Sequence, residues 1–525
     1  MIAGLTVGAV LVPQSLAYGE LAGLAPIAGL YAALAAIIAY AAVGSSSLIS
    51  LGPTATSAIL AAAAGREVAS DDRAAAIVTV ALIAGGLALA AGMVRLGFIA
   101  NLLSRPVLVG YTAGAAITIA VSQMGNLLGI DVDGQRVTAM LADLVRGMSG
   151  ASLATLTVSA ASLVGLVLVQ RLRPRLPAAL LVVVVATAIA QLFDLADHGV
   201  AVVGTLPSGL PEIGLPDLAA GDARRLVLPA AAIALVGFAE TVAQGQALGA
   251  TRRNPGPNRE LMALGTANVA SGLCGGFSVS SSFSRNALNV RAGGRSQRAF
   301  LVAAAAVVVS LVALTNTLSH VPLASLAAIV VVSVAALIPI RTFSRLAHLQ
   351  RDDFVFAVVA FAGVILIGIL PGLAIAVALS LGGLLYRVTT ADTAVLGYVP
   401  DQDTWRRLDR HDTARARPGV LVVRFSGPLY FANASRLRRQ VSQLVAESAP
   451  GLRRVVIDGR AMSHVDATAI EMLTELHARL DENGIELVMA GLRSPALDTF
   501  LRSDLVRSLG EERLVYPTVR AAADV

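Results

Sequence analysis

Glu240 and Arg285 stand out because each lies inside a stretch otherwise apolar enough to cross a bilayer, where an ionisable side chain is costly and marks function. Glu240 falls in the middle of ALVGFAETVAQGQALG, and Gln244 follows one helical turn later on the same face. Arg285 follows Ser282, Phe283 and Ser284 in GGFSVSSSFSRNALNVRAGG, residues Gly275 to Gly294, a glycine-rich polar island between hydrophobic segments. In the first apolar run, VPQSLAYGELAG puts Gln14 and Tyr18 four residues apart, hence on one face, with Pro13 weakening the helix beside them. Hydroxyl and amide donors together with a guanidinium are chemistry for holding a small anion. Glu240, the only acidic residue placed mid-span, can take up a proton as the anion enters and so couple the two fluxes. Two competing arrangements exist. A structural Glu240–Arg285 ion pair would leave sodium coupling or exchange as the driving mode, and an Arg285 that snorkels to the cytoplasmic side would leave the site altogether.

Side chains of this kind need elements that aim them inward. The Gly275 to Gly294 island is poor lipid contact, because unpaired polar groups in hydrocarbon cost several kcal/mol each. It reads as a broken membrane helix. An extended piece over Phe277 to Val279 runs into a half-helix opening near Ser281 or Ser282, whose free N–H groups and positive dipole end face an anion. An inverted repeat requires a matching break in the first half. SSSLISLGPTATSAIL, Ser45 to Leu60, supplies it at Gly52 and Pro53, with Pro53, Thr54 and Ala55 at the mouth of the other half-helix.

At about 20 apolar residues per crossing the chain divides into roughly fourteen segments. The first seven fall near Ile2 to Gly19, Ile27 to Val43, Pro53 to Ala64, Ala74 to Val94, Val107 to Leu128, Leu153 to Gln170 and Pro177 to Phe193. The second seven fall near Leu226 to Leu248, Leu261 to Cys274, Ser281 to Val290, Phe300 to Leu318, Leu323 to Ile338, Phe354 to Leu370 and Gly372 to Tyr386, with Asp194 to Arg225 as the seam. The third segment of each half is the interrupted one. Loop charge supports this count, since cytoplasmic loops carry an excess of basic residues. Arg95 and Arg105, Arg171, Arg173 and Arg175, Arg252, Arg253 and Arg259, Arg291, Arg295 and Arg298, and Arg341, Arg345 and Arg351 fall on one side. On the other, Glu67, Asp71 and Asp72 offset Arg66 and Arg73, while Asp131, Asp133 and Asp143 outweigh Arg136 and Arg146. An even number of segments then places both termini in the cytoplasm.

Composition agrees: 56% of 525 residues are hydrophobic and 14% charged, with mean hydropathy +0.74, the profile of a polytopic membrane protein. The formal charge of +6 sits in short loops without the aromatic interleaving of a nucleic-acid groove, so no nucleic-acid partner is expected. All 40 basic residues are arginine, which removes Schiff-base and P-loop lysine chemistry. Cys274 is alone, and the six histidines show no pair at ligand spacing, so neither a metal nor another cofactor is expected. No nucleophile–base pair supports an enzyme. The N-terminal apolar run reads as a first span, not a signal peptide.

After Tyr386 the apolar signal ends. Arg387 to Pro418 is polar, with Trp405 among Asp and Arg residues, and reads as a linker. Strand-like Val420 to Phe425, Arg454 to Ile457 and Ile485 to Ala490 then alternate with helix-like Ala434 to Ala446, Ala467 to Leu480 and Ser494 to Leu509, a small βαβα domain. Asp458, His464 and Asp466 are expected as exposed loop residues beside a strand end.

VPQSLAYGELAGLAPIAGLYAA, GSSSLISLGPTA and SVSSSFSRNALNVRAGGRSQ together resemble the sulfate permease family, equivalently solute carrier family 26, over nearly the whole chain. The C-terminal unit is similar to the STAS domain, shared by sulfate transporters and anti-sigma factor antagonists, that these transporters carry. The resemblance implies a transport domain over residues 1–388, a linker over 389–418 and a STAS domain over 419–525. It also implies a core of segments one to four and eight to eleven moving against a gate made of the rest in an elevator-like cycle, and a homodimer. Carried over by motif, Gln14, Tyr18, Pro53 to Ala55, Glu240 and Phe283 to Arg285 line an anion site. In VIDGRAMSHVDATAI the family's Asp-Ser-Ser becomes Asp466, Ala467 and Thr468, so Thr468 takes the position phosphorylated in anti-sigma antagonists and is a candidate regulatory residue. The hydrophilic segment that usually precedes the first span is missing, which points to a trimmed or misassigned start. The expectation is therefore a multi-pass protein of the cell's inner membrane that carries sulfate, bicarbonate or a dicarboxylate by secondary active transport, with protons favoured over sodium or exchange. From a different class, the competing expectation is a membrane-anchored STAS signalling scaffold.

Overall fold

The computed structural model describes the chain except residues 69–72, 103, 133, 135, 174–175, 218, 248–255, 337, 339, 391, 449, 510–513 and 525. Asp71, Asp72, Asp133, Arg175, Arg252 and Arg253, used above in the loop-charge pattern, lie outside the described residues, as does the expected segment end at Leu248. The chain forms two compact units, Met1–Leu381 and Gly382–Val525.

In the first unit long Ala-, Leu- and Val-rich runs become helices, since a helix satisfies its own backbone where no water can. Seven spanning or half-spanning segments make up the first half: α1 (Ile2–Leu21), α2 (Ile27–Val43), α3 (Ala55–Gly65), α4 (Arg73–Met93), α5 (Arg105–Ser122, extended by the short α6, Met124–Leu128), α8 (Leu153–Leu172) and α9 (Ala178–Leu192). An amphipathic α7 (Val137–Gly147) lies between α6 and α8. After the short α10 (Ala220–Arg225), the second half repeats the order with α11 (Val227–Ala247), α12 (Pro257–Leu273), α13 (Phe283–Arg291), α14 (Arg298–Ala313, followed by α15, Thr315–Leu318), α16 (Leu323–Ala335), α18 (Arg351–Ile367) and α19 (Ile369–Thr389). A separate α17 (Ile340–Leu349) joins α16 to α18. Among the described residues six of these helices are long and apolar enough to cross a membrane, a seventh such stretch, Leu323–Leu349, takes in both α16 and α17, and four further apolar helices are shorter. The seven-plus-seven inverted repeat is thus present, with half-helices α3 and α13 at the third place of each half.

A two-residue strand precedes each half-helix: β1 (Leu51–Gly52) and β2 (Ser280–Ser281) pair antiparallel, Leu51 opposite Ser281 and Gly52 opposite Ser280. The extended piece therefore falls just after the expected Phe277 to Val279, where it meets Leu51. Small residues bring the repeats close. A Cβ on Gly85 of α4 would lie 2.7 Å from the Gly265 carbonyl of α12, and one on Gly265 the same distance from the Gly85 carbonyl, so neither helix tolerates a side chain at this crossing.

The second unit is a six-stranded sheet in the order β4-β3-β5-β6-β7-β8, formed by β3 (Asp392–Val399), β4 (Thr404–Arg407), β5 (Val420–Ser426), β6 (Arg454–Asp458), β7 (Glu486–Ala490) and β8 (Val515–Tyr516). From β5 to β8 the pairing is parallel, and β3 is antiparallel to both neighbours. Helices α20 (Phe431–Glu447) and α21 (Ala467–Asp481) alternate with the parallel strands, followed by α22 (Ala496–Leu501), α23 (Asp504–Leu509) and α24 (Val519–Ala523). Two expectations are corrected here. Residues 392–407 are not linker but the β3–β4 hairpin, with Trp405 buried against Tyr398 at a ring separation of 5.6 Å. Asp458 is not an exposed loop residue: it is 0% exposed at the end of β6 and accepts hydrogen bonds from Arg424 Nε and Arg460 Nη2, both at 2.8 Å. Burial alone pushes its carboxyl up, but the Arg460 and Arg424 hydrogen bonds outweigh that and hold it below the ordinary range. Asp466 caps α21 through Ala469 N at 2.8 Å, and Thr468 in its first turn is exposed, as is His464.

Candidate functional site

The β1–β2 crossing sets the N-termini of α3 and α13 side by side in sequence register, because each half-helix begins within three residues of its strand. Their first turns are built differently. Thr54 caps α3: its hydroxyl accepts from Ser57 N at 3.2 Å while Ser57 Oγ accepts from Thr54 N at 3.1 Å, a reciprocal capping box. Ser282 gives α13 no side-chain cap, so the first-turn N–H groups of that helix have no partner within it. Its hydroxyl lies 3.2 Å from Ser284 Oγ instead. Phe283, 51% exposed, and Ser284 face outward at this end.

Arg285 points the opposite way. It is 1% exposed and donates from Nη1 to the Pro53 carbonyl at 2.6 Å, reaching from the second break to the first. Gly52 leaves room for it, since a Cβ there would sit 3.1 Å from Nη2, and Nη2 itself is a buried donor without a hydrogen-bond partner. The two competing sequence readings are therefore not realised among the described residues: Arg285 neither snorkels nor meets Glu240. Glu240 Oε2 accepts from Ser280 Oγ at 3.0 Å, Ser280 Oγ lies 2.9 Å from Thr54 Oγ1, and Thr56 offers a second hydroxyl to the carboxylate. A hydroxyl chain thus runs from the α3 cap through β2 to Glu240.

Gln244 is tied to the strand. Its Nε2 donates to the Ser281 carbonyl at 2.7 Å and its Oε1 accepts from Ser281 Oγ at 2.8 Å and Asn286 Nδ2 at 3.0 Å. Asn286 accepts in turn from Ser50 N at 3.0 Å, so one amide joins both breaks. On α1, Gln14 is buried with Oε1 unpartnered, and buried Tyr18 lies within electrostatic reach of Arg285. The structure therefore gathers Pro53, Thr54, Glu240, Ser282, Arg285 and Tyr18 around one crossing, places Ala55 in the first turn of α3, and gives Gln244 the task of holding β2.

Sequence reasoning passed over four contributors. Ser280 and Asn286 sit in the island that was singled out, flanking Arg285. Gln297 donates to the carbonyls of both Ser46 and Ile49 at 2.7 Å, holding the chain that leads into β1. Glu260, in the first turn of α12, is a buried carboxylate that accepts from Tyr40 Oη at 2.9 Å and from Ser45 Oγ. Its signal was a carboxylate just after Gly-Pro at a helix start.

An open helix N-terminus and an unmatched guanidinium N–H leave the crossing rich in donors, which is chemistry for an anion. The fold and this site define a broken-helix membrane transporter. Residues 1–360 match the sulfate permease family and residues 413–522 the STAS domain. The chain belongs to the sulfate permease family of anion transporters. It is 37% identical over 518 residues to a probable sulfate transporter of Mycobacterium tuberculosis, covering 98% of this chain and 92% of that one. It is 29% identical to the high affinity sulfate transporter 2 of Stylosanthes hamata, covering 99% and 83%. In fold it matches the murine solute carrier 26 family member A9 anion transporter in the inward-facing state with a TM-score of 0.92 at 23% identity, covering 99% of this chain and 90% of that one. The transmembrane domain of a cyanobacterial bicarbonate transporter gives 0.64, covering 72% and 96%.

Proposed function

We propose that this protein is a proton-coupled secondary active transporter of sulfate, working by an elevator-like cycle in which α1 to α4 and α11 to α14 move against the remaining spans. The carrying observation is the β1–β2 crossing, where the uncapped α13 N-terminus and the free Arg285 N–H stand next to a hydroxyl chain ending on Glu240. In this reading the anion takes the N–H groups of Phe283 and Ser284, with hydroxyls of Ser282 and Ser284, the α3 mouth at Pro53 to Ala55, and Gln14 and Tyr18 completing the wall. Glu240 takes a proton as the anion enters, which removes repulsion between two negative charges. Gln244 keeps β2 in register with that carboxylate. Sulfate is favoured over bicarbonate and dicarboxylates by the names of the relatives. The protein is a homodimer in the inner membrane, its termini and STAS domain are cytoplasmic, and Thr468 is the exposed position where regulation can act.

The test is uptake of labelled sulfate by the purified protein in liposomes, with bicarbonate, fumarate and succinate as competitors. An inward proton gradient is expected to accelerate accumulation. Acceleration by sodium alone would move the coupling ion, and failure to take up any of these anions would favour the signalling scaffold.

A further inference from the structure

The α17 helix divides by residue type around its axis. At 100° per residue, Arg341, Arg345 and His348 fall within one narrow arc, while Ile340, Phe343, Leu346 and Leu349 occupy the opposite half. None of its residues is buried, and Ile340 and Leu349 are 74% and 64% exposed. Phe343 meets Phe361 of α18 edge-on at 6.3 Å, so part of the apolar half rests on a spanning helix and the remainder faces outward. Spanning helices lie on both sides of α17 in the chain, and α18 starts one residue after Gln350, so α17 stands at the turn between two spans. Neither Arg341 nor Arg345 forms an ion pair among the described residues. The nearest acids in the chain are Asp352 and Asp353 in the first turn of α18, next to Arg351.

A helix at such a turn with one apolar half and one cationic arc has one surrounding that suits both: acyl chains below and headgroups beside it. Neutral headgroups satisfy the apolar half alone. The arginines need a net negative charge, and none is supplied by a paired carboxylate. We propose that α17 is a docking surface for anionic phospholipid headgroups, with Arg341 and Arg345 on the phosphate and Ile340 and Leu349 among the acyl chains. It is separate from the anion crossing, since none of its residues contributes to β1, β2 or the half-helices.

The experiment uses the full chain in nanodiscs of phosphatidylcholine with increasing phosphatidylglycerol, reading retained phosphatidylglycerol by native mass spectrometry. Losing both charges in R341Q/R345Q is expected to weaken retention by roughly 25-fold, about fivefold per arginine at a membrane surface. The charge-preserving R341K/R345K is expected to retain the lipid, which separates loss of charge from loss of fold. As a control, R146Q/R225Q removes the same charge at arginines that already stand 3.8 and 3.7 Å from Asp143 and Asp222, and is expected to leave retention unchanged. Millimolar inorganic phosphate is expected not to displace the lipid. Unchanged retention in R341Q/R345Q, equal loss in the control, equal retention of phosphatidylcholine, or displacement by phosphate would each overturn the assignment.

Discussion

The two half-helices occupy equivalent places in the repeat, yet α3 begins with a capping box that serves the N–H groups of Thr54 and Ser57, and α13 begins with no side-chain cap. Behind its cap α3 is nearly all alanine and aliphatic, whereas the inward face of α13 carries Arg285, Asn286 and Asn289, all buried. The difference separates two tasks. The closed end of α3 hands its hydroxyl chain to Glu240, and the open end of α13 keeps its donors for a ligand. On the proposed reading, proton and anion are taken up at neighbouring but chemically distinct ends of one crossing.

The strongest way to break this division is Glu240→Gln. The neutral amide is expected to abolish acceleration by an inward proton gradient while equilibrium exchange of sulfate continues, and persistent proton-driven accumulation would remove Glu240 from coupling. Next in size, Arg285→Ala takes away the Pro53 contact and the unmatched donor. Sulfate affinity should fall about 10- to 100-fold, given ~1.5–3 kcal/mol for a hydrogen bond to a charged group, and unchanged affinity in a binding titration would leave Arg285 a purely structural brace. Ser282→Asp sharpens the contrast by giving α13 a carboxylate cap like those favoured at helix starts. Sulfate affinity is expected to fall about 10-fold as that carboxylate competes for the same N–H groups, whereas a silent substitution would show that the anion does not use them. The smallest effect belongs to Thr54→Ala, which removes the α3 cap at a cost of about 1 kcal/mol. Thermal stability should drop and sulfate affinity should fall less than in Ser282→Asp, since the α13 donors remain, whereas a fall as large as in that variant would make the capped end the anion end.

Much of this was legible in the sequence wherever residue type contradicted its surroundings. Gly52 and Pro53 interrupt one span, and a serine run interrupts another at the same ordinal place, so the repeat and its breaks could be read directly. Partnership was less legible, because it depends on residues far apart in the chain. Opposite sign suggested pairing Glu240 with Arg285, but the fold gives one a serine and the other a carbonyl. β2 lies past the expected stretch because its position is set by Leu51, not by local preference. Asp458 was misplaced at the surface because its partner Arg424 lies 34 residues upstream, on the neighbouring strand. The β3–β4 hairpin was hidden by charges that interleave its buried positions, as edge strands commonly show.

The dependence of β1 on β2 also constrains how the protein is made. Thr54 and Ser280 are 226 residues apart, so at 5–20 residues per second the ribosome emits the first break roughly 10–45 s before its strand partner. During that interval Leu51 and Gly52 lack their ladder, and the carbonyls of Ser46 and Ile49 lack Gln297. Unpaired backbone of this kind does not settle in hydrocarbon. The α3 segment therefore has to wait in water or beside the translocon, and it enters its final place only after the second half has been synthesised.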